Sequence, residues 1–170
     1  MSLIEEKITN KIYQLGHYAL SKFIKPDLHF NQVTNLTEEI LLQIKEQYKI
    51  EGIILDVDET IRAEAQFIPK CNQEWIDTLK KHFKIIIVSN GLDGKIEEYF
   101  KQKQIDYIGF AHKPLKMNFK KACEKLNIQP ENVLVIGDSL LDDIYGGKRN
   151  NMKTALIDSV ETKQETELER

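Results

Sequence analysis

Beyond Lys49 the sequence alternates short, uninterrupted apolar runs with segments whose apolar residues recur at helical spacing. Few folds accommodate that rhythm. "IEGIILDV", "KIIIVSN", "ENVLVIGDS" and "KTALID" carry their apolar side chains in succession, as a strand does when both of its faces are covered. "IDYIGF" is a shorter strand of the same kind. Between the strands lie "NQEWIDTLKKHF", "GKIEEYFKQKQ", "MNFKKACEKLN" and "LDDIYGGKRN", all read as helical. The first of these sets Trp75, Ile76, Leu79 and Phe83 on one face, as core. The last is expected to leave its helix at Gly146 and Gly147. Strands alternating with helices predict an α/β fold: a doubly wound, Rossmann-like, mostly parallel sheet with helices on both faces.

Ahead of this region the apolar residues Ile4, Ile8, Ile12, Leu15, Ala19 and Phe23 predict an amphipathic helix from Ser2 to Ile24, stopped before Pro26. A second helix is expected from Thr37 to Tyr48, with Asn35 and Glu38 as its start signal. Three parts are therefore expected: N-terminal helices over 1–48, an α/β domain over 49–159 and a polar tail over 160–170. Hydrophobic residues make up 41% of the 170, enough to build a core. The net charge of −3 gives no general attraction to nucleic acid, so no nucleic-acid partner is expected. No apolar run approaches the roughly 20 residues that span a bilayer. The N-terminus lacks a signal-peptide pattern, and the two cysteines, Cys71 and Cys123, form no CxxC pair. A cytoplasmic protein with ordinary reduced thiols follows as the expectation.

In an open parallel sheet, ligands bind beyond the carboxyl ends of the strands. Polar residues gather there in this sequence. The first strand of the α/β region ends at Asp56, Asp58 and Thr60, and the second at Ser89 and Asn90. "AHKP" follows the short third strand and brings Lys113. The fourth ends at Gly137, Asp138 and Ser139, with Asp142 and Asp143 one turn on. Converging carboxylates need a cation for neutrality, and an all-oxygen ligand set favours Mg²⁺ over zinc. A metal beside a lysine makes a seat for an anion, and phosphate is the obvious candidate. Ser89, Asn90 and loop N–H groups could bind its oxygens. One carboxylate is then free for nucleophilic attack and another for proton transfer.

"DVDET", "SN", "KP" and "GDSLLDD", in that order, resemble the haloacid dehalogenase (HAD) superfamily of aspartate-based phosphohydrolases over about Gly52 to Ile157. "FIKPD", "HKPL" and "GDSLLDDIYGGKRN" resemble more closely the YqeG family, small bacterial members of subgroup IIIA related to the mitochondrial phosphatidylglycerophosphate phosphatase. The resemblance implies that Asp56 is the nucleophile and forms an aspartyl-phosphate. Asp58 would protonate the leaving group and then activate water. Thr60 would hold the first loop in shape and stand with Ser89 and Asn90 in the phosphate-binding set. Lys113 would neutralise nucleophile and phosphate. Asp138, the side chain of Asp56 and the backbone carbonyl of Asp58 would hold Mg²⁺, supported by Asp143 in preference to Asp142. Glu59 departs from the family pattern, and so does "IRAEAQF" after it.

The intervals from Thr60 to Ser89 and from Asn90 to Lys113 are too short for a substantial cap domain. In this superfamily caps close over small substrates, so a capless member implies an open site and a phosphate on something bulky: a lipid headgroup, a nucleic-acid end or a protein. A Mg²⁺-dependent phosphomonoesterase is the expected function, with phosphatidylglycerophosphate as one candidate substrate. A signalling receiver that stores phosphate on an aspartate is the alternative, although receivers place that aspartate on the third strand. An inactive partner-binding module is a third. The N-terminal stripe can pack on the domain or lie in a membrane interface, which would make the protein peripheral to the inner face of the membrane.

Overall fold

The computed structural model describes residues 15–16, 18–158 and 160. Six strands form one sheet: β1 (Leu28–Phe30), β2 (Gly52–Leu55), β3 (Lys84–Val88), β4 (Asp106–Ile108), β5 (Val133–Gly137) and β6 (Lys153–Ile157). Their order is β1-β6-β5-β2-β3-β4, and every pairing is parallel. β2 lies between β3 and β5, with Leu55 opposite Ile87 on one side and Ile136 on the other. The helices are α1 (Glu38–Tyr48), α2 (Lys70–His82), α3 (Gly94–Gln102), α4 (Lys116–Leu126) and the short α5 (Gly146–Lys148). A π-helical turn, Leu140–Tyr145, runs directly into α5.

The uninterrupted apolar runs are explained by two cores, one on each face of the sheet. Ile53, Leu55, Ile85, Ile87, Leu134 and Ile136 point to one face, where Leu41 and Ile44 of α1, Trp75, Ile76 and Leu79 of α2 and Phe100 of α3 cover them. Their neighbours Ile54, Ile86, Val88, Val133 and Val135 point to the other, against Phe119, Ala122 and Leu126 of α4. Successive strand residues alternate between faces, so a strand buried on both must be apolar throughout. Each such side chain contributes roughly 1.5–3 kcal/mol on burial. Trp75 is core, as expected, and its indole Nε1 donates to the carbonyl of Leu36 at 2.9 Å.

Two expectations are corrected, and one strand is added. The α1 cap is Thr37, whose hydroxyl accepts from the Ile40 N–H; Asn35 sits in the preceding 3₁₀ turn, Val33–Asn35. Gly146 and Gly147 do not end a helix but form α5, and both are buried. A Cβ on Gly146 would lie 2.6 Å from the Phe119 ring, and one on Gly147 would lie 2.9 Å from Thr154 and Val135. Glycine serves close packing against α4 and the sheet there, not an exit. β1, finally, had no counterpart in the sequence reading; it extends the sheet beside β6. Of the expected Ser2–Ile24 helix only residues 15–16 and 18–24 are described, helical at 15–16 and 18–21; the rest, and the polar tail apart from Val160, lie outside the described residues.

Candidate active site

β2 hands its direction to Asp56, whose N–H still donates to the carbonyl of Ile136 on β5 at 3.0 Å. The ladder thus fixes the backbone of the first carboxylate before the chain turns away. β5 ends at Gly137, and a Cβ there would lie 2.2 Å from Asp143. Only glycine lets the Asp143 carboxylate fold back against the strand end, where it accepts from the Ser139 N–H at 3.2 Å. The loops after β3 and β4 are joined by Ala111 N–H to Ser89 O at 3.0 Å, and the second is tied to α4 by the buried Asn118 amide donating to Ala111 O at 2.6 Å. These bonds set the position from which Lys113 reaches inward.

Lys113 is buried and its ammonium bridges two carboxylates, 2.7 Å from Asp56 Oδ1 and 2.6 Å from Asp143 Oδ1. Burial alone would lower its pKa, but the charges of Asp143 and Asp56 outweigh that and raise it, so the amine stays charged. The Thr60 hydroxyl, also buried, donates to Asp56 Oδ2 at 2.9 Å and lies 3.3 Å from Asp138 Oδ1. Burial, then the neighbouring carboxylates Asp56 and Asp143, drives the Asp138 carboxyl well above its ordinary range. Asp143 is raised by burial and by Asp56, against the pull of Lys113. One ammonium therefore does not balance three carboxylates.

Asp56, Asp138 and Asp143 each offer an oxygen within 4.8 Å of the others. That spacing, the surplus of negative charge and the all-oxygen donor set fit a hard divalent cation such as Mg²⁺. Asp142 is turned elsewhere. It accepts from the Asn90 amide at 3.1 Å, while the Asn90 side-chain oxygen accepts from the Lys113 N–H at 2.8 Å. Asn90 thus braces the loops around the lysine. Ser89 is buried, with its Oγ accepting from the Gly91 N–H at 3.2 Å.

The structure brings Asp56, Thr60, Lys113, Asp138 and Asp143 into one cluster and sets Asp58 apart from it. The Asp58 carboxylate is paired instead with Arg62, at 2.8 Å, and Arg62 in turn with Asp93, also at 2.8 Å. Sequence reasoning missed both partners. Arg62 lies in an irregular loop, where no periodicity marks it; Asp93 carried a usable signal as the cap of α3, accepting from Lys95 N–H and Ile96 N–H. The ring nitrogens of His29 and His82 contact Asp158 at 2.6 Å and Glu38 at 2.7 Å, away from the site, and His112 is exposed. Cys71 and Cys123 are free, and burial pushes the Cys123 thiol up to about 11, which leaves it inert.

A family model described as HAD-hydrolase-like matches residues 110–170. The Bacillus subtilis protein named "Probable phosphatase YqeG" is 32% identical over 145 residues, spanning 81% of this chain and 79% of that protein. The chain belongs to the YqeG family of HAD-like phosphatases. A glyceraldehyde 3-phosphate phosphatase of Pyrococcus furiosus is 37% identical over a shorter stretch of 60 residues, covering 35% of this chain and 25% of that one. The solved structure of 3-deoxy-D-manno-octulosonate 8-phosphate phosphatase from Yersinia pestis shares the fold, with a TM-score of 0.52 at 16% identity over 72% of each chain. The acid-and-lysine cluster of this YqeG relative thus lies at the strand ends of a phosphatase fold. Among the described residues no helix is long and apolar enough to cross a membrane.

Proposed function

We propose that the chain is a Mg²⁺-dependent phosphomonoesterase that works through an aspartyl-phosphate on Asp56. The observation that carries this reading is Lys113, buried between Asp56 and Asp143 beside a third carboxylate, Asp138. Asp56, Asp138 and the backbone carbonyl of Asp58 would hold Mg²⁺, with Asp143 in support; bound there, the ion would neutralise charge on the phosphoryl oxygens. Lys113 holds the Asp56 carboxylate in place and draws the anionic ester toward it. An Asp56 carboxylate oxygen attacks phosphorus, the bond to the leaving oxygen breaks, and Asp58 gives that oxygen a proton. Asp58 then takes a proton from water, whose oxygen attacks phosphorus and frees Asp56. Ser89 and the N–H groups of its loop hold the transferring oxygens, while Thr60 and Asn90 keep the first and second loops in place.

The mouth of the site supports a substrate with a bulky apolar body. Leu92, Phe110, Leu115, Met117 and Leu141 sit on the segments that follow β3, β4 and β5, and each is at least 42% exposed. Apolar side chains gathered at the end of the sheet that carries the chemistry suit an amphipathic phosphate. Phosphatidylglycerophosphate is the substrate proposed, reached from the cytoplasmic face of the membrane. Phosphate release with Mg²⁺, with and without chelator, across that lipid, sugar phosphates, phosphorylated DNA ends and phosphopeptides tests the proposal. Release from the lipid that chelator and Asp56→Asn both abolish is the expected result. Activity confined to small sugar phosphates would sink the substrate assignment, and an active Asp56→Asn would sink the covalent mechanism. A stable phosphoprotein without turnover would return the chain to the receiver alternative.

A further inference from the structure

Asp58, the proposed proton carrier, is gripped by a side chain that the steps above leave idle. Arg62 is only 6% exposed. Its Nε and Nη2 both approach Asp58 Oδ1, at 2.9 and 2.8 Å. Its Nη1 donates to Asp93 Oδ2 at 2.8 Å and to the carbonyl of Gln66 at 3.0 Å. The Glu59 N–H donates to the Arg62 carbonyl at 2.8 Å, which curls the chain so that residues 58 and 62 face each other. The other oxygen of Asp93 caps α3. Arg62 therefore ties Asp58 to the first turn of a helix whose Ile96 and Phe100 are buried in the core.

The grip leaves the two oxygens of Asp58 unequal. Oδ1 is taken by two charge-assisted contacts, both from one edge of the guanidinium, which anchors that oxygen. Oδ2 faces the other way: a Cβ on Gly91 would lie 3.4 Å from Asp58 Oδ2 and 3.9 Å from Ser89 Oγ. That is the loop proposed to hold the phosphoryl group. We infer that Arg62 is a positioning residue for proton transfer, aiming Asp58 Oδ2 at the leaving oxygen and then at the attacking water. The inference rests on the aspartyl-phosphate reading. In the first step the proton on Oδ2 passes to the leaving oxygen as its bond to phosphorus breaks. In the second, Oδ2 takes a proton from water as the water oxygen bonds to phosphorus and the Asp56–phosphorus bond breaks. Arg62 touches no reacting atom in either.

A brace that merely holds the loop against α3 would have the same contacts, so the test must read proton transfer itself. 4-Nitrophenolate departs without a proton, whereas an alkoxide must be protonated as it leaves. Values of kcat/KM for 4-nitrophenyl phosphate and hexyl phosphate, measured with Mg²⁺, report the first step alone. Misplacing a general acid costs about 10–100-fold. Arg62→Ala is expected to lose about that much more on hexyl phosphate than on 4-nitrophenyl phosphate. On the aryl ester it should hold kcat/KM yet lower kcat, with a burst of 4-nitrophenolate as phosphoenzyme waits for a poorly aimed base. Arg62→Lys keeps the charge without the fork and should show the same selectivity in smaller measure; it carries the test alone if the alanine variant does not fold. Asp58→Asn is the reference for losing the proton carrier outright. Equal losses on both esters at position 62, beside a selective loss in Asp58→Asn, overturn the inference and leave the mechanism standing. A wild-type chain inactive on both esters, or an unselective Asp58→Asn, overturns the proton-transfer reading and the role of Arg62 with it.

Discussion

Two constellations of acid and base lie two residues apart in sequence and are built on opposite plans. Around Asp56 the scaffold is the sheet: a strand end on each side, a glycine that makes room for Asp143, and a lysine delivered from a third loop. Around Asp58 the scaffold is one loop folded on itself and pinned to a helix cap. The first is buried but for the half-buried Asp138; in the second the arginine is buried while Asp58 and Asp93 keep about a third of their side chains in solvent. A nucleophile needs a fixed, desolvated position. A proton carrier must exchange with leaving groups and with water, so an exposed face held by a rigid partner serves it better.

The largest effect expected from breaking this contrast is at Lys113. In Lys113→Met two buried carboxylates lose their cation, a type of change that costs about 3–5 kcal/mol. Urea unfolding of the metal-free variant should show that loss, and phosphate release should vanish. Added Mg²⁺ should recover part of the stability and none of the turnover, because the amine also holds Asp56 ready for attack. Cutting the Asp58 side at Asp93→Asn should cost far less in unfolding free energy, since Asp93 is part-exposed and such pairs contribute about 0–1 kcal/mol.

Glycines sharpen the same comparison. Gly137→Ala puts a Cβ 2.2 Å from Asp143, so carboxylate or strand end must shift; overpacking of this kind costs about 1–3 kcal/mol. At Gly91, on the Asp58 side, the nearest atom to a new Cβ is 3.4 Å away. Thermal melts should separate the two substitutions, with Gly91→Ala close to wild type.

Proton linkage gives a further distinction. Asp138 and Asp143 have carboxyls raised by burial and by neighbouring charge, so the metal-free folded state holds protons that the unfolded chain releases from 3.8 upward. Stability of the metal-free protein should therefore fall as pH rises above that value, and Mg²⁺ should flatten the slope by replacing the protons. The Mg²⁺ effect on Tm at pH 8 should be of the order of a few degrees and larger than at pH 5. Equal shifts at both values would show that these carboxylates do not take up the ion.

Most of the first constellation was legible in the sequence and most of the second was not, for a physical reason. β2, β3 and β5 are covered on both faces, so their apolar runs are continuous and their ends easily found; Asp56, Ser89 and Asp138 stand just beyond those ends. The family resemblance favours Asp143 over Asp142, and the fold-back beside Gly137 separates the two. Arg62 sits where no period operates, and its partner Asp93 comes from another loop 31 positions on, so only tertiary structure reveals the pair. β1 escaped for a related reason: three residues with Leu28 and Phe30 part-buried around an exposed His29 are too few to declare a strand. Gly146 and Gly147 misled because the same residue that ends helices also lets a helix lie close to its neighbour.

The smallest expected effect concerns Glu59, the acid that follows Asp58 in its loop. Its backbone is left-handed, with φ 60, and its Oε1 accepts from the Glu64 N–H at 2.8 Å. The side chain thus turns onto its own loop and helps to close the curl that sets Arg62 opposite Asp58. An amide oxygen can accept the same bond, so the contact with the Glu64 N–H does not itself require the negative charge. Glu59→Gln should leave kcat/KM for alkyl and aryl phosphates within about two-fold of wild type and stability within about 0.5 kcal/mol. Glu59→Asn, better suited to a left-handed backbone but one methylene short of Glu64, trades a backbone gain for a lost bond. If Glu59→Gln instead loses activity selectively on hexyl phosphate, Glu59 shares the proton-carrying task, and the separation between a fixed nucleophile and a single loop-borne acid fails.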